Sequence, residues 1–288
     1  MSGSVIVGYD GSEGSVLALR WAATAAKTRG RNLEVITTWT MPAADLGIGA
    51  SSTLQEELID ELRKEAQTTN DEGVQLAADM GANAVGEIIV GRTAAALVKH
   101  SHDANLVVVG SHGAGGLTGY LLGSVSRQVA THAKCPTVVV RPLAEDADGI
   151  VVGVDGSPHS MKALEWAFEQ ASASRQSLHV LHSWEIPPTW SMVEVPSYEP
   201  EVLIRDYGNA ELRETSEAMA GFREQFPDVK VRQEVMKGSP VKSLVKASKG
   251  ASLLVVGSRG LGGFKGLLLG SVSHAVVHKA DCTVAVVP

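Results

Sequence analysis

Leu106-Val-Val-Val-Gly-Ser-His-Gly113, nine further residues, then Gly123-Ser124, reads as a buried strand that empties into a glycine-rich loop, with Gly-Ser opening the next helix. Glycine lets backbone N–H groups approach an anion closely, and a helix N-terminus adds unpaired donors and the positive end of its dipole. The pattern therefore marks a place to hold phosphate. It recurs as Leu253-Leu-Val-Val-Gly-Ser-Arg-Gly260, nine residues, Gly270-Ser271. One copy is weak evidence. Two at matching positions make nucleotide binding the leading expectation.

Outward from these loops the whole chain repeats. Val5-Ile-Val-Gly-Tyr-Asp-Gly-Ser12 matches Ile150-Val-Val-Gly-Val-Asp-Gly-Ser157 at an offset of 145 residues, and Trp21 and Trp39 pair with Trp166 and Trp184. Gly91, Gly110 and Cys135 pair with Gly238, Gly257 and Cys282 at an offset of 147. The two extra residues enter the second copy between its second and third strands, where a loop tolerates them. The predicted domains are residues 1–142 and 149–288, with residues 143–148 as linker.

Periodicity in the first copy predicts strands over 4–7, 33–39, 87–90, 106–109 and 137–140. It predicts helices over 14–28, from 54 to about 73, over 93–102 and over 124–133. Fully apolar strands alternating with helices indicate a parallel sheet covered on both faces, a doubly wound α/β domain in each half. Ligands of such sheets sit at the carboxyl ends of the strands, near the topological switch point. Strand one ends in Gly8-Tyr9-Asp10 and strand four in Val109-Gly110, so Asp10 and the glycine loop flank one crevice if these strands are neighbours. The second copy offers Gly153, Asp155, Val256 and Gly257 at the same places.

Composition is that of a globular protein: 288 residues, 44% hydrophobic and 20% charged. A formal net charge of −7, from 25 basic and 32 acidic residues, argues against a nucleic-acid footprint. No apolar run is long enough to span a bilayer, so no membrane partner is expected. No signal peptide is visible at the N-terminus, and a cytoplasmic location is the resulting expectation. Cys135 and Cys282 precede the last strand of each half and read as buried thiols.

Each candidate residue has a plainer alternative. Asp10 and Asp155 can accept hydrogen bonds from an amino group or ribose hydroxyls, or can serve as turn and cap residues in Asp-Gly-Ser. Gly110, Gly113, Gly123, Gly257, Gly260 and Gly270 can be turn glycines, and Ser124 and Ser271 ordinary caps. Val125-Ser126 and Val272-Ser273 extend the donors of the phosphate cradle. Thr38 and Ser183, at the ends of strand two, lie beside the base of a nucleotide held this way. His112 and Thr118 become Arg259 and Lys265 in the second loop, which should then hold a more negative ligand better. No Walker lysine, nucleophile elbow, Cys-x-x-Cys pair or His-Glu-x-x-His helix is present, and the histidines lack ligand spacing along the chain, so no metal ligands are expected. Mg2+ is expected only as a companion of a nucleotide.

Gly-x-x-Gly, nine residues, Gly-[Ser/Thr], with the Val-Gly-x-Asp-Gly-Ser openings, resembles the universal stress proteins in their tandem-domain, actinobacterial form. The resemblance covers nearly the whole chain, twice. It implies a Rossmann-like five-stranded parallel sheet of order 3-2-1-4-5 in each half and membership of the ATP-binding branch. It also implies that Asp10 and Asp155 serve the adenosine end, Thr38 and Ser183 border adenine, and the glycine loops with Ser124 and Ser271 hold phosphates. The halves are expected to pair through their last strands, with a homodimer and a protein partner beyond that. The implied role is regulatory, in stress or dormancy physiology. A cyclic-AMP receptor and a slow Mg2+-dependent ATPase are the alternatives.

Overall fold

The computed structural model describes residues 3–41, 52–113, 122–185, 200–262 and 268–288. The chain divides into two compact units, Met1–Pro142 and Leu143–Pro288. The first contains β1 (Val5–Gly8), α1 (Glu13–Thr28), β2 (Leu33–Trp39), α2 (Ser52–Asp79), β3 (Ala84–Val90), α3 (Thr93–His100), β4 (Leu106–Gly110), α4 (Ser124–His132) and β5 (Thr137–Val140). Its strands are parallel, in the order β3-β2-β1-β4-β5. The second unit contains β6 (Ile150–Val154), α5 (Pro158–Ser174), β7 (Leu178–Trp184), α6 (Pro200–Gln225), β8 (Val231–Lys237), α7 (Pro240–Ser248), β9 (Leu253–Gly257), α8 (Ser271–Lys279) and β10 (Thr283–Val287). Its parallel order, β8-β7-β6-β9-β10, is the same 3-2-1-4-5 arrangement.

The apolar runs explain the layering. Val5–Val7, Leu106–Val109 and Leu253–Val256 are all buried, because side chains of alternate residues meet helices on opposite faces of the sheet. Helix α1 packs on β1 and β4 and touches α2, while α3 and α4 pack together. With right-handed crossovers, α1 and α2 cover one face and α3 and α4 the other. Connections from β1 and β4 thus leave in opposite directions, which opens a crevice between their carboxyl ends.

Local chemistry sets the helix boundaries. Ser12 and Ser157 cap α1 and α5 by accepting from the Ser15 and Ser160 N–H groups, at 3.3 and 3.2 Å. The expected end of the second helix near Gly73 is incorrect: α2 continues to Asp79, and the turn falls at Gly81, where φ is +79°. Gly73 lies mid-helix because a Cβ there would sit 2.7 Å from Cδ1 of Tyr9. Strand β3 begins at Ala84 rather than at 87, since its edge residues Val85, Gly86 and Glu87 are exposed and carry no apolar pattern. Helix α3 stops at His100, with Ser101 as its C-cap, so His102 lies outside it. Cys135 and Cys282 are free and buried, and burial pushes the Cys135 thiol up to about 12.

Candidate functional site

A cavity of about 410 Å3 lies at the carboxyl ends of β1 and β4, within the size range of small-molecule sites. Parallel pairing of Val5–Val7 with Leu106–Val108 makes the two strands neighbours, the condition on which the expected crevice depended. Gly8, Asp10, Thr38, Val109, Gly110, Gly113, Gly123, Ser124, Val125 and Ser126 all line this cavity. So do Tyr9, Ser15, Thr93, Leu97, His112 and Leu122. Of these six only His112 drew notice in the sequence. Thr93 and Leu97 were legible in principle, as the first residue and next turn of a helix that follows strand three.

The glycines serve different ends. Gly8 and Gly153 make room for Leu97 and Leu244, whose methyl carbons would lie 2.9 and 3.0 Å from an added Cβ. At Gly110 an added Cβ would meet the Gly14 backbone at 2.5 Å, and at Gly257 the His159 backbone at 2.7 Å. These two let the first turns of α1 and α5 approach the strand ends. Gly113 faces the Asp10 carboxylate, 2.7 Å from a would-be Cβ, and Gly260 lies closer still to that of Asp155. Each carboxylate therefore packs directly against its glycine loop.

Asp10 Oδ1 accepts from the Ser12 N–H at 3.1 Å and from its hydroxyl at 2.5 Å. Asp155 Oδ1 accepts from the Ser157 N–H at 3.0 Å, and its Oδ2 accepts from the N–H of Leu261 at 3.0 Å. Burial alone would raise the Asp155 pKa. Hydrogen bonds from Ser157, the Leu261 N–H and Ser160 outweigh it, so the carboxyl titrates below its ordinary value. Tyr9, which also lines the cavity, is buried, and burial with the charges of Glu72 and Asp10 pushes its phenol pKa up.

Helix starts at the site differ from those of α1 and α5. Gly123 and Gly270 are the N-caps of α4 and α8, and neither start has a side-chain cap. The N–H groups of Ser124, Val125 and Ser126, and of Ser271, Val272 and Ser273, have no intrahelical acceptor at these positions. The Ser126 and Ser273 hydroxyls are committed: each donates at 2.6 Å to the strand-end carbonyl of Gly110 or Gly257. They tie helix to strand, and what these serines offer a ligand is the backbone N–H. Ser124 and Ser271 are exposed.

Thr38 is paired with Thr93, hydroxyl to hydroxyl, at 2.6 Å. Pro240 stands at the place of Thr93 in the second unit, and the Ser183 Oγ there is buried without a partner among the described residues. Of the two expected charge differences, Thr118 and Lys265 lie outside the described residues. The other is well defined. His112 turns Nδ1 to the Ser111 hydroxyl at 3.0 Å, and its Nε2 has no partner among the described residues. Arg259 donates instead to His159 Nε2 at 2.9 Å; burial, then the Arg259 and Lys162 charges, keep His159 below its ordinary pKa and able to accept.

A family model described as the universal stress protein family matches residues 1–141 and again 148–288. A universal stress protein of Mycobacterium tuberculosis is 35% identical over 299 residues, covering 98% of this chain and 96% of its own. One from Mycolicibacterium smegmatis is 35% identical over 298 residues, with coverage of 98% and 96%. Among solved structures, a universal stress protein from Archaeoglobus fulgidus aligns over 100% of this chain and 98% of its own, with a TM-score of 0.73 at 23% identity, a likeness of fold. No helix among the described residues is long and apolar enough to cross a membrane.

Proposed function

Since the chain belongs to the universal stress protein family, we propose that each unit is an adenine-nucleotide site, with ATP as its ligand, and that the protein acts as a nucleotide-responsive regulator. One observation carries this reading: a single cavity brings together a carboxylate, the end of β2 and an uncapped helix start, which suit the three parts of a nucleotide. In it the phosphates lie over the N–H groups of Ser124, Val125 and Ser126, where unpaired donors and the helix dipole favour negative charge. The Asp10 carboxylate accepts from ribose hydroxyls or an adenine amino group, and Thr38 borders the base. Asp155, Ser183, Ser271, Val272 and Ser273 repeat these roles. Mg2+, when it arrives with the nucleotide, neutralises phosphate charge.

The two sites are unequal in this reading. Arg259 brings a permanent cation to the second loop where the first has His112, so the second site favours the more highly charged nucleotide. Calorimetric titration with ATP, ADP and cyclic AMP, with and without Mg2+, tests the proposal. Two adenine-nucleotide sites per chain of unequal affinity are expected, with ATP preferred at the second. Absence of heat and of any adenine nucleotide co-purifying with the protein refutes it. Phosphate release in the same samples measures hydrolysis, and displacement of ATP by cyclic AMP measures the competing ligand.

A further inference from the structure

Away from the cavity, three residues that the sequence keeps far apart converge on the first unit. Glu34 stands on β2, Glu87 on β3, and His100 is the last residue of α3. One donor atom from each lies within 4.8 Å of the other two, and His100 Nδ1 is 3.7 Å from Glu87 Oε2. We propose that Glu34, Glu87 and His100 form a binding site for a first-row divalent cation of the Zn2+ class. Spacing along the chain hid this set, because its members come from three elements.

Topology builds the arrangement. In the β2–β3 register Glu34 is opposite Val85 and Ile36 opposite Glu87, which puts the two carboxylates diagonally on one face of the sheet. The C-terminal end of α3, the negative pole of its dipole, delivers His100 to the same spot. The Ser4 hydroxyl donates to Glu34 Oε1 at 2.6 Å, an outer contact of the kind that orients metal-ligating carboxylates. Two carboxylates and an imidazole suit a borderline cation that takes both oxygen and nitrogen. With bonds of about 2.0–2.2 Å, tetrahedral ligand atoms stand about 3.3 Å apart. Closure requires the donors to draw in by up to about 1.5 Å, a rotamer adjustment for side chains that are part exposed.

The duplication supplies an internal comparison. By register, His179 and Glu234 stand where Glu34 and Glu87 do, Arg232 stands at Val85, and Ala247 falls at the place of His100. There the cluster neutralises itself: Arg232 Nη2 is 2.7 Å from Glu234 Oε2, and His179 Nε2 is 3.0 Å from the same oxygen. The first unit has Val85 in place of the arginine, a second carboxylate, Glu34, in place of His179, and a histidine on α3 in place of Ala247. Val85, 55% exposed, brings no charge. A mobile cation restores in the first unit the balance that Arg232 supplies in the second.

Co2+ is the probe, because its visible absorption reports coordination. Chelator-stripped, nucleotide-free full-length protein is titrated near neutral pH by absorbance and by equilibrium dialysis. We expect one Co2+ per chain at this site, displaced by Zn2+, with binding lost in His100→Ala and weakened about tenfold or more in Glu87→Gln. Glu87→Gln is nearly isosteric on an exposed edge and keeps the test valid if His100→Ala unfolds. The competing donor pair is His274 and His278, one turn apart on α8 with ring centroids 4.6 Å apart. Absence of stoichiometric binding overturns the proposal. So does binding unaffected by both first-unit variants, or binding abolished by His274→Ala.

Discussion

Ser124→Asp separates what the start of α4 does for the fold from what it does for a ligand. The residue is exposed and occupies the first position of a helix whose cap, Gly123, supplies no side-chain acceptor. A carboxylate in that turn complements the dipole and should stabilise the unit by about 0.3–1 kcal/mol. Against a phosphate over the same N–H groups the sign reverses. Two unit charges about 4 Å apart repel by about 1 kcal/mol in bulk water and about 4 kcal/mol at an effective dielectric of 20. The cavity mouth lies between these limits, so affinity for ATP at the first site should fall by a factor between about five and about a thousand. Calorimetry on the variant should show one site weakened and the other unchanged, while the thermal midpoint without nucleotide rises or holds. The loss should shrink in high salt, as screening shortens the reach of the added charge. Ser271→Asp should do the same at the second site, and the double variant should be weakened at both. Unchanged affinity and stoichiometry in a folded Ser124→Asp protein would refute the placement of phosphate at this helix.

Other expectations concern stability. Gly73→Ala should destabilise the first unit by about 1–3 kcal/mol despite the better helix former, because its methyl would overlap the Tyr9 ring; a raised thermal midpoint would contradict this. Arg175 adopts φ +57° at the C-cap of α5, where the first unit has Gly30 at +61°, so Arg175→Gly should raise the urea midpoint by the equivalent of about 0.5–1 kcal/mol at constant m-value. The Asp155 carboxyl has a folded-state pKa below its unfolded one, so its contribution is present above the unfolded value near 3.8 and is lost as pH falls through the lower, folded value. Ser157→Ala leaves the Ser157 N–H in place but removes the side-chain hydrogen bond that helps lower this pKa, and should flatten the second unit's stability profile in that acid window, besides costing about 1 kcal/mol of helix cap. An unaltered acid profile would show that the Ser157 hydroxyl does not hold the carboxylate.

Much of this architecture could be read from β1 and β4, because a strand buried on both faces leaves an unbroken apolar run. Strand β3 defied the same reading at its start: an edge strand with Val85, Gly86 and Glu87 exposed has no reason to alternate. Gly73 misled for a related reason, since sequence shows that a glycine is present but not whether it ends a helix or clears an aromatic ring. The cavity's first-half residues were found because strand ends and a helix start carry local signatures. Thr93 and Leu97 were not found, because their place in the wall depends on how α3 lies over β1. The committed hydroxyls of Ser126 and Ser273 were equally hidden: a serine in a first helical turn reads as a donor to a ligand until its distance to the strand carbonyl is known.

Gly123 and Gly270 carry a further consequence, for the dynamics of the resting protein. A first turn without a side-chain cap frays more readily than one closed by serine, as α1 and α5 are. In hydrogen-exchange measurements the early amides of α4 and α8 should therefore exchange ahead of those of α1 and α5. An anion seated on them slows that exchange in the unit it occupies and leaves the other unit's rates alone. With glycines where serines would close the turn, amide exchange at these two helix starts would report, half by half, whether an anion is seated there.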